Sequence, residues 1–326
     1  MRQLKHIFLF LLITSAYLLP RPVLANQELD NNGNSQLMIA AYDGDLNTMR
    51  RLIDQGHDVN QTNKYGLTAL FYAAGGTRTQ PTPKGSTEAV NFLLQHGAKV
   101  NIKSNINGYT TLMAACANQN TGSASLLLEH GADVNALTRD GESALSIAAA
   151  RLEPEIVALL LNHGAHVSGY ADKNGQTPLI AAVAASPYLT LRSPEEAKEI
   201  IQQKASQLTN ALKVVKLLLS NKADINIEDR DGKSALTYAA SEANPLLVRA
   251  LLEQGANPNV TDRSQGNATP LILAVGVRSV GIAEMLIKKG ANVNAKDQFG
   301  KSALNYAIER GPQKMIEVLR KAGAKE

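Results

Sequence analysis

The chain has 326 residues, 44% of them hydrophobic and 19% charged, so it can bury a core and is excluded from the disordered class. Aromatic content is 4% with no Trp, so that core must be built from Leu, Ala, Val and Ile, which suits closely packed helices. The formal charge of +4 shrinks to +1 without the first 25 residues, which hold Arg2, Lys5, Arg21 and no acid; such a balance argues against charge-driven nucleic-acid binding.

The N-terminus reads as a secretory signal over residues 1–25. Arg2 and Lys5 precede a nearly unbroken apolar run from Ile7 to Leu19, and Val23-Leu24-Ala25 offers a small-x-small cleavage site. The run is shorter than the roughly 20 residues that span a bilayer. The expectation is therefore a periplasmic or secreted protein with no membrane anchor after cleavage. Residues 26–34 form a short polar segment. A single cysteine, Cys116, rules out an intramolecular disulfide.

From residue 35 onward the chain repeats itself. Gly97-Ala98-Lys99-Val100-Asn101 returns as Gly131-Ala132-Asp133-Val134-Asn135, Gly255-Ala256-Asn257-Pro258-Asn259 and Gly290-Ala291-Asn292-Val293-Asn294. Looser copies begin at Gly56, Gly164, Lys222 and Gly323. The steps between these positions are 41, 34, 33, 58, 33, 35 and 33 residues, a period of 33 with two insertions. A second motif keeps the same phase: Thr68-Ala69-Leu70, Ser143-Ala144-Leu145, Thr177-Pro178-Leu179, Ser234-Ala235-Leu236, Thr269-Pro270-Leu271 and Ser302-Ala303-Leu304.

Each piece has a physical role. The Thr or Ser caps a first helix, and Pro is tolerated at the next position. A leucine-rich second helix follows, and glycine ends it in a left-handed conformation. The Asn after the glycine can bond backbone of the adjoining turn. Asp140-Gly141, Asn174-Gly175 and Asp231-Gly232 mark turns at the tips. From Leu37 to Ala324 this pattern resembles the ankyrin-repeat family, whose usual Thr-Pro-Leu-His start is matched most closely at Thr177 and Thr269. The resemblance implies an all-α ankyrin-repeat solenoid of about eight helix-turn-helix units with β-turn tips. The units fall near 35–62, 63–104, 105–137, 138–171, 172–228, 229–261, 262–296 and 297–326. The family's His is replaced throughout, by Phe71, Met113, Ser146, Ile180, Thr237, Ile272 and Asn305.

The insertions cover about 75–86 and 186–211. The first has loop composition and reads as a surface loop or a contact loop. The second begins a helix at Ser193-Pro194 and carries an apolar stripe through Ala197, Ile201, Ala205, Leu208, Leu212, Val215 and Leu219. A single helix is expected over 194–220. Its stripe is covered by Tyr188, Leu189 and Leu191 folding back, or by a partner helix or second copy. The last helix, Lys314 to Lys321, carries Lys314, Glu317, Arg320 and Lys321 and reads as a solvated cap.

No phosphate loop, dinucleotide fingerprint or nucleophile elbow is present, so no cofactor is expected. His96, His130 and His163 hold one equivalent place on successive units, too far apart to share a metal, and read as helix caps. Cys116 reads as a small buried residue. Family resemblance implies binding of a protein partner through the turn tips and the exposed side of the first helices. The candidate contact residues are Tyr65, Leu67, Phe71, Tyr109, Met113, Arg139, Lys173 and Arg230; Phe71 and Met113 have packing between units as a second reading. The cations form either a solvated rim or a weakly basic stripe for an acidic protein surface. The leading reading is a non-catalytic scaffold. Self-assembly through the helix at 194–220 and an enzyme built by the insertions are the alternatives.

Overall fold

A computed structural model describes residues 29–75, 86–168, 172–186 and 198–326. The signal segment, most of the first insertion, and the proposed cap at Ser193-Pro194 with its fold-back residues lie outside these. Contacts group the chain into two units, 1–139 and 140–326. Among the described residues the regular elements are helices, with isolated bridges such as Lys103 with Thr110 at the tips.

Unit 1 contains three helix pairs: α1 Gln36–Asp43 with α2 Leu46–Asp54, α3 Ala69–Gly75 with α4 Thr87–Gln95, and α5 Thr111–Ala117 with α6 Thr121–Glu129. Unit 2 contains five: α7 Ala144–Ala150 with α8 Pro154–Asn162, α9 Pro178–Ala184 with α10 Lys198–Ser220, α11 Ala235–Ser241 with α12 Pro245–Glu253, α13 Pro270–Gly276 with α14 Val280–Lys288, and α15 Ala303–Arg310 with α16 Gln313–Lys321.

The first helices begin where their caps dictate. Ser35, Thr110, Ser143, Thr177, Ser234, Thr269 and Ser302 each accept the amide three residues on. In four repeats the residue at the family's His position returns the bond. Met38 and Met113 sulfur, Ser146 hydroxyl and Asn305 amide oxygen accept the cap residue's own N–H. In these four the link that His would make is thus replaced locally.

The turn into the second helix places Gly44, Gln119, Leu152, Ala243 and Arg278 at φ between 51° and 70°. Four of these five bear side chains, each at a cost of about 1 kcal/mol or more that packing offsets. Glycine ends most second helices at φ 82–89°, but Lys222 takes that place after α10.

Repeats are joined by asparagine. Asn259 Nδ2 donates to the Gly290 carbonyl at 3.1 Å, and its Oδ1 accepts from the Asn292 amide at 2.7 Å. Asn60 grips Gly97 and Lys99, Asn101 grips Gly131 and Asp133, and Asn294 grips Gly323 and Lys325 in the same way. Ser168 supplies an acceptor for the Asp224 amide.

Helix α10 is 23 residues long against nine for the other second helices, and its described start is Lys198. The expected stripe is corrected in register. The buried residues are Leu208, Ala211, Val214, Val215 and Leu218, whereas Ala205 is exposed and Leu212 and Leu219 are half-buried. Residues 202–207 expose Gln202, Gln203, Ser206 and Gln207, so this described stretch presents a polar surface. In α16 Met315 and Leu319 face the core, and Lys314, Glu317, Arg320 and Lys321 face solvent.

Candidate functional site

Most tips are organised by an acceptor five residues before a first-helix cap, with Ser104 six before its cap and Asp262 seven before. Asn63 Oδ1 accepts from the Tyr65 and Leu67 amides at 2.9 and 3.0 Å. Asp172, Asp229 and Asp297 do the same for their own tips. The tips then bond one another through backbone. In unit 1 the Asn105 amide donates to the Tyr65 carbonyl at 2.8 Å and the Arg139 amide to the Asn107 carbonyl at 2.7 Å. In unit 2 the Lys173, Arg230, Ser264 and Gln298 amides donate to Asp140, Asn174, Asp231 and Gly266 carbonyls. A row of tips is therefore a rigid edge.

The second carboxylate oxygen of the tip acid takes a phenol. Tyr238 donates to Asp229 at 2.8 Å and Tyr306 to Asp297 at 2.7 Å. Burial, and then the Asp229 bond, push the Tyr238 phenol well above its ordinary value. At Tyr306 the hydrogen bond to Asp297 leads and acts in the same direction. In the repeat that starts at Asp262, Leu273 stands where Tyr would be. Asp262 Oδ2 is buried without a hydrogen-bond donor, and Lys233 Nζ lies 3.9 Å away.

The expected contact residues divide sharply. Tyr65, Phe71 and Tyr109 are half-buried in unit 1. Phe71 meets Tyr109 edge to face at 6.5 Å, and Tyr72 at 6.4 Å. Lys64 Nζ sits 4.9 Å from the Tyr65 ring centre, and Tyr65 donates its hydroxyl to Asn32 at 3.3 Å. Leu67 and Met113 do not belong to this surface: they are 3% and 0% exposed. Leu67 is turned inward because its amide and carbonyl both close the tip onto Asn63. Met113 folds back to cap its helix. Ile106, 40% exposed on the tip beside that of Tyr65, joins these residues from the place that Lys64 holds on its own tip.

The cations mostly brace neighbours. Lys64 donates to the Asn31 carbonyl and Arg139 to the Ile106 carbonyl at 3.0 Å. Lys173 pairs with Asp140 at 2.7 Å, a bond that raises its pKa above the ordinary lysine value. Arg263 approaches Glu228 at 3.8 Å. Arg230 is exposed and, among the described residues, makes no side-chain ion pair. Six of the eight candidates lie in unit 1; Lys173 and Arg230 lie in unit 2.

The histidines cap. His96, His130 and His163 Nδ1 hydrogen-bond the carbonyls of Phe92, Leu126 and Leu159 at 2.7–2.9 Å. Asn221, in the equivalent place after α10, bonds the Leu217 carbonyl at 2.9 Å. Among the described residues no group of three metal-ligating side chains converges, and no helix is long and apolar enough to cross a membrane. Cys116 is buried, and desolvation pushes its thiol up to about 12.

Paired helices with capped starts, tips bonded edge to edge and Asn links between neighbours define a helical repeat protein. The chain belongs to the ankyrin-repeat family: the signature described as ankyrin repeats in three copies matches residues 14–104, 37–138, 79–169, 132–193, 202–297 and 262–326. It is similar to the E3 ubiquitin-protein ligase KEG of Arabidopsis thaliana, 26% identical over 89% of this chain but only 18% of that protein. It is also similar to the putative ankyrin repeat protein YahD of Escherichia coli K12, 27% identical over 60% of this chain and 86% of that one. Among solved structures, the human ASB11 ankyrin repeat domain superposes with a TM-score of 0.55 at 22% identity, covering 90% of this chain and all of that one. The chain spans less than a quarter of the length of several relatives, 11% in the case of mask-1 of Caenorhabditis elegans.

Proposed function

We propose that this protein is an exported, non-catalytic scaffold that binds a protein partner through the tips and first helices of unit 1. Ankyrin repeats generally mediate protein–protein interaction. The observation that carries the reading is the half-exposed aromatic group of Tyr65, Phe71 and Tyr109, with Ile106 on the neighbouring tip. Aromatic side chains held on a rigid edge bury large area at low entropic cost, which is the composition of interface hot spots. Export rests on the charged, apolar and small-residue sequence over 1–25. On this reading, mass spectrometry of the exported protein gives a chain beginning at Asn26, and a cytoplasmic chain retaining Met1 contradicts it.

The binding test uses the mature protein as bait in envelope extract of the source organism. A band captured by the parent and lost with Tyr65→Ala and Tyr109→Ala, at unchanged helical circular dichroism, supports the site. Equal capture by parent and variants overturns it.

A further inference from the structure

Within unit 2, Asp262 is more enclosed than the acids of the neighbouring tips: it is 0% exposed, against 4% for Asp229 and 8% for Asp297. Its Oδ1 gathers the Ser264 and Gln265 amides and the Ser264 hydroxyl, while its Oδ2 has no hydrogen-bond donor among the described residues. A carboxylate oxygen buried without a donor is costly. In the repeats on either side the donor is a tyrosine four residues after the cap, Tyr238 or Tyr306; here Leu273 holds that place.

The residue directly before a cap offers another route. Gln176 stands there in the repeat that starts at Asp172, and it reaches forward. Its Nε2 donates to the Tyr238 hydroxyl at 3.3 Å, and Tyr238 donates to Asp229. Lys233 stands there in the next repeat, with its Nζ 3.9 Å from Asp262 Oδ2 and 5.2 Å from the Tyr238 ring centre. Lys301 holds the same place in the last repeat but pairs with Glu309 of its own first helix at 2.6 Å. In the repeat of Lys233 the register of Glu309 holds Ser241, which carries no charge.

We propose that Lys233 is an ionic latch between two successive tips. Its ammonium closes on Asp262 Oδ2 and completes, from the preceding repeat, a carboxylate that elsewhere in unit 2 is completed by a tyrosine of its own repeat. Closing takes a movement of about 1 Å, from 3.9 Å to the length of a charge-assisted bond. Loss of the lysine charge leaves Asp262 buried and unpaired, which disfavours the docked arrangement of the two tips. This joint therefore depends on the residue before a cap, whereas the tips of Asp229 and Asp297 carry their own donor.

A double-mutant cycle tests this, read by native-state hydrogen exchange at the Ser264 amide, which crosses the same joint to the Asp231 carbonyl. Lys233→Met keeps the stem and removes the charge. Asp262→Asn keeps an oxygen to gather the tip amides, as Asn63 does in its own tip. The expected result is that Lys233→Met speeds exchange roughly tenfold or more in the parent and less than about twofold beside Asp262→Asn. Lys233→Arg, which retains the charge, should keep the parental protection. Leu273→Tyr returns the phenol of the neighbouring repeats and should silence Lys233→Met by a second route, so the test stands even where one double variant fails to fold. Equal acceleration by Lys233→Met in every background overturns the proposal and leaves the lysine a packing residue. No acceleration in the parent also overturns it, because Asp262 is then served by another donor.

Discussion

Asp229 and Asp297 each accept three hydrogen bonds at once. One carboxylate oxygen gathers two tip amides and the other receives a tyrosine from the first helix. Tyr238→Phe removes the donor from the buried Asp229 and is expected to cost about 1–2 kcal/mol at neutral pH. The pH dependence follows from the raised phenols. Below about pH 10 the folded and unfolded chains both hold these protons, and the bonds stabilise fully. As pH rises beyond that value the unfolded phenol ionises first, so stability falls until the folded phenol also titrates. Urea midpoints between pH 9 and about 11 should drop less steeply in Tyr238→Phe with Tyr306→Phe than in the parent; parallel curves would contradict the assignment. These pairs were legible in principle. Asn63, Asp172, Asp229 and Asp297 each precede a Thr or Ser cap by five residues. The Asp-Gly and Asn-Gly dipeptides are the louder turn signal in the same segments.

At the scale of the element, α10 shows how a right pattern is offset in part: Leu208 and Val215 are buried as expected, while Ala205 is exposed and Leu212 and Leu219 are half-buried. Apolar residues at steps of three and four fit more than one stripe when Leu, Val and Ala are dense. The spacing admits both Ala205–Leu208–Leu212–Val215 and Leu208–Ala211–Val214–Leu218. Packing against α8 and α9 selects the second together with Val215 of the first, because Val214, Val215 and Leu218 match Ile156, Val157 and Leu160 of α8. Leu208→Ala is expected to cost about 2–3 kcal/mol, and Ala205→Gln no more than about 0.5 kcal/mol. Urea denaturation of the two variants checks this, and a reversed order would restore the first stripe. The left-handed residues Gln119, Leu152, Ala243 and Arg278 were not legible, since none is Gly or Asn and only the tight turn between paired helices forces them there.

For the whole molecule, the period of 33 residues carried most of the fold, because a repeat that cannot bury its own apolar side must lie against a neighbour. The candidate surface was legible only in part. Tyr65, Phe71 and Tyr109 emerged from their place near the tips, but Leu67 and Met113 have the same composition and the opposite fate. Whether a side chain caps its own helix or faces a partner depends on a rotamer that spacing does not encode. Beside that packing, directional bonds join the repeats: the Asn links and the amide-to-carbonyl contact between tips. Native-state hydrogen exchange on the Asn259→Ala variant tests that claim most directly. The account predicts that the Asn292 amide loses protection by roughly tenfold or more, while the Ala291 amide, bonded within its own repeat to Leu286, keeps it. Unchanged protection at Asn292 would contradict the account and show that packing alone holds neighbouring repeats together.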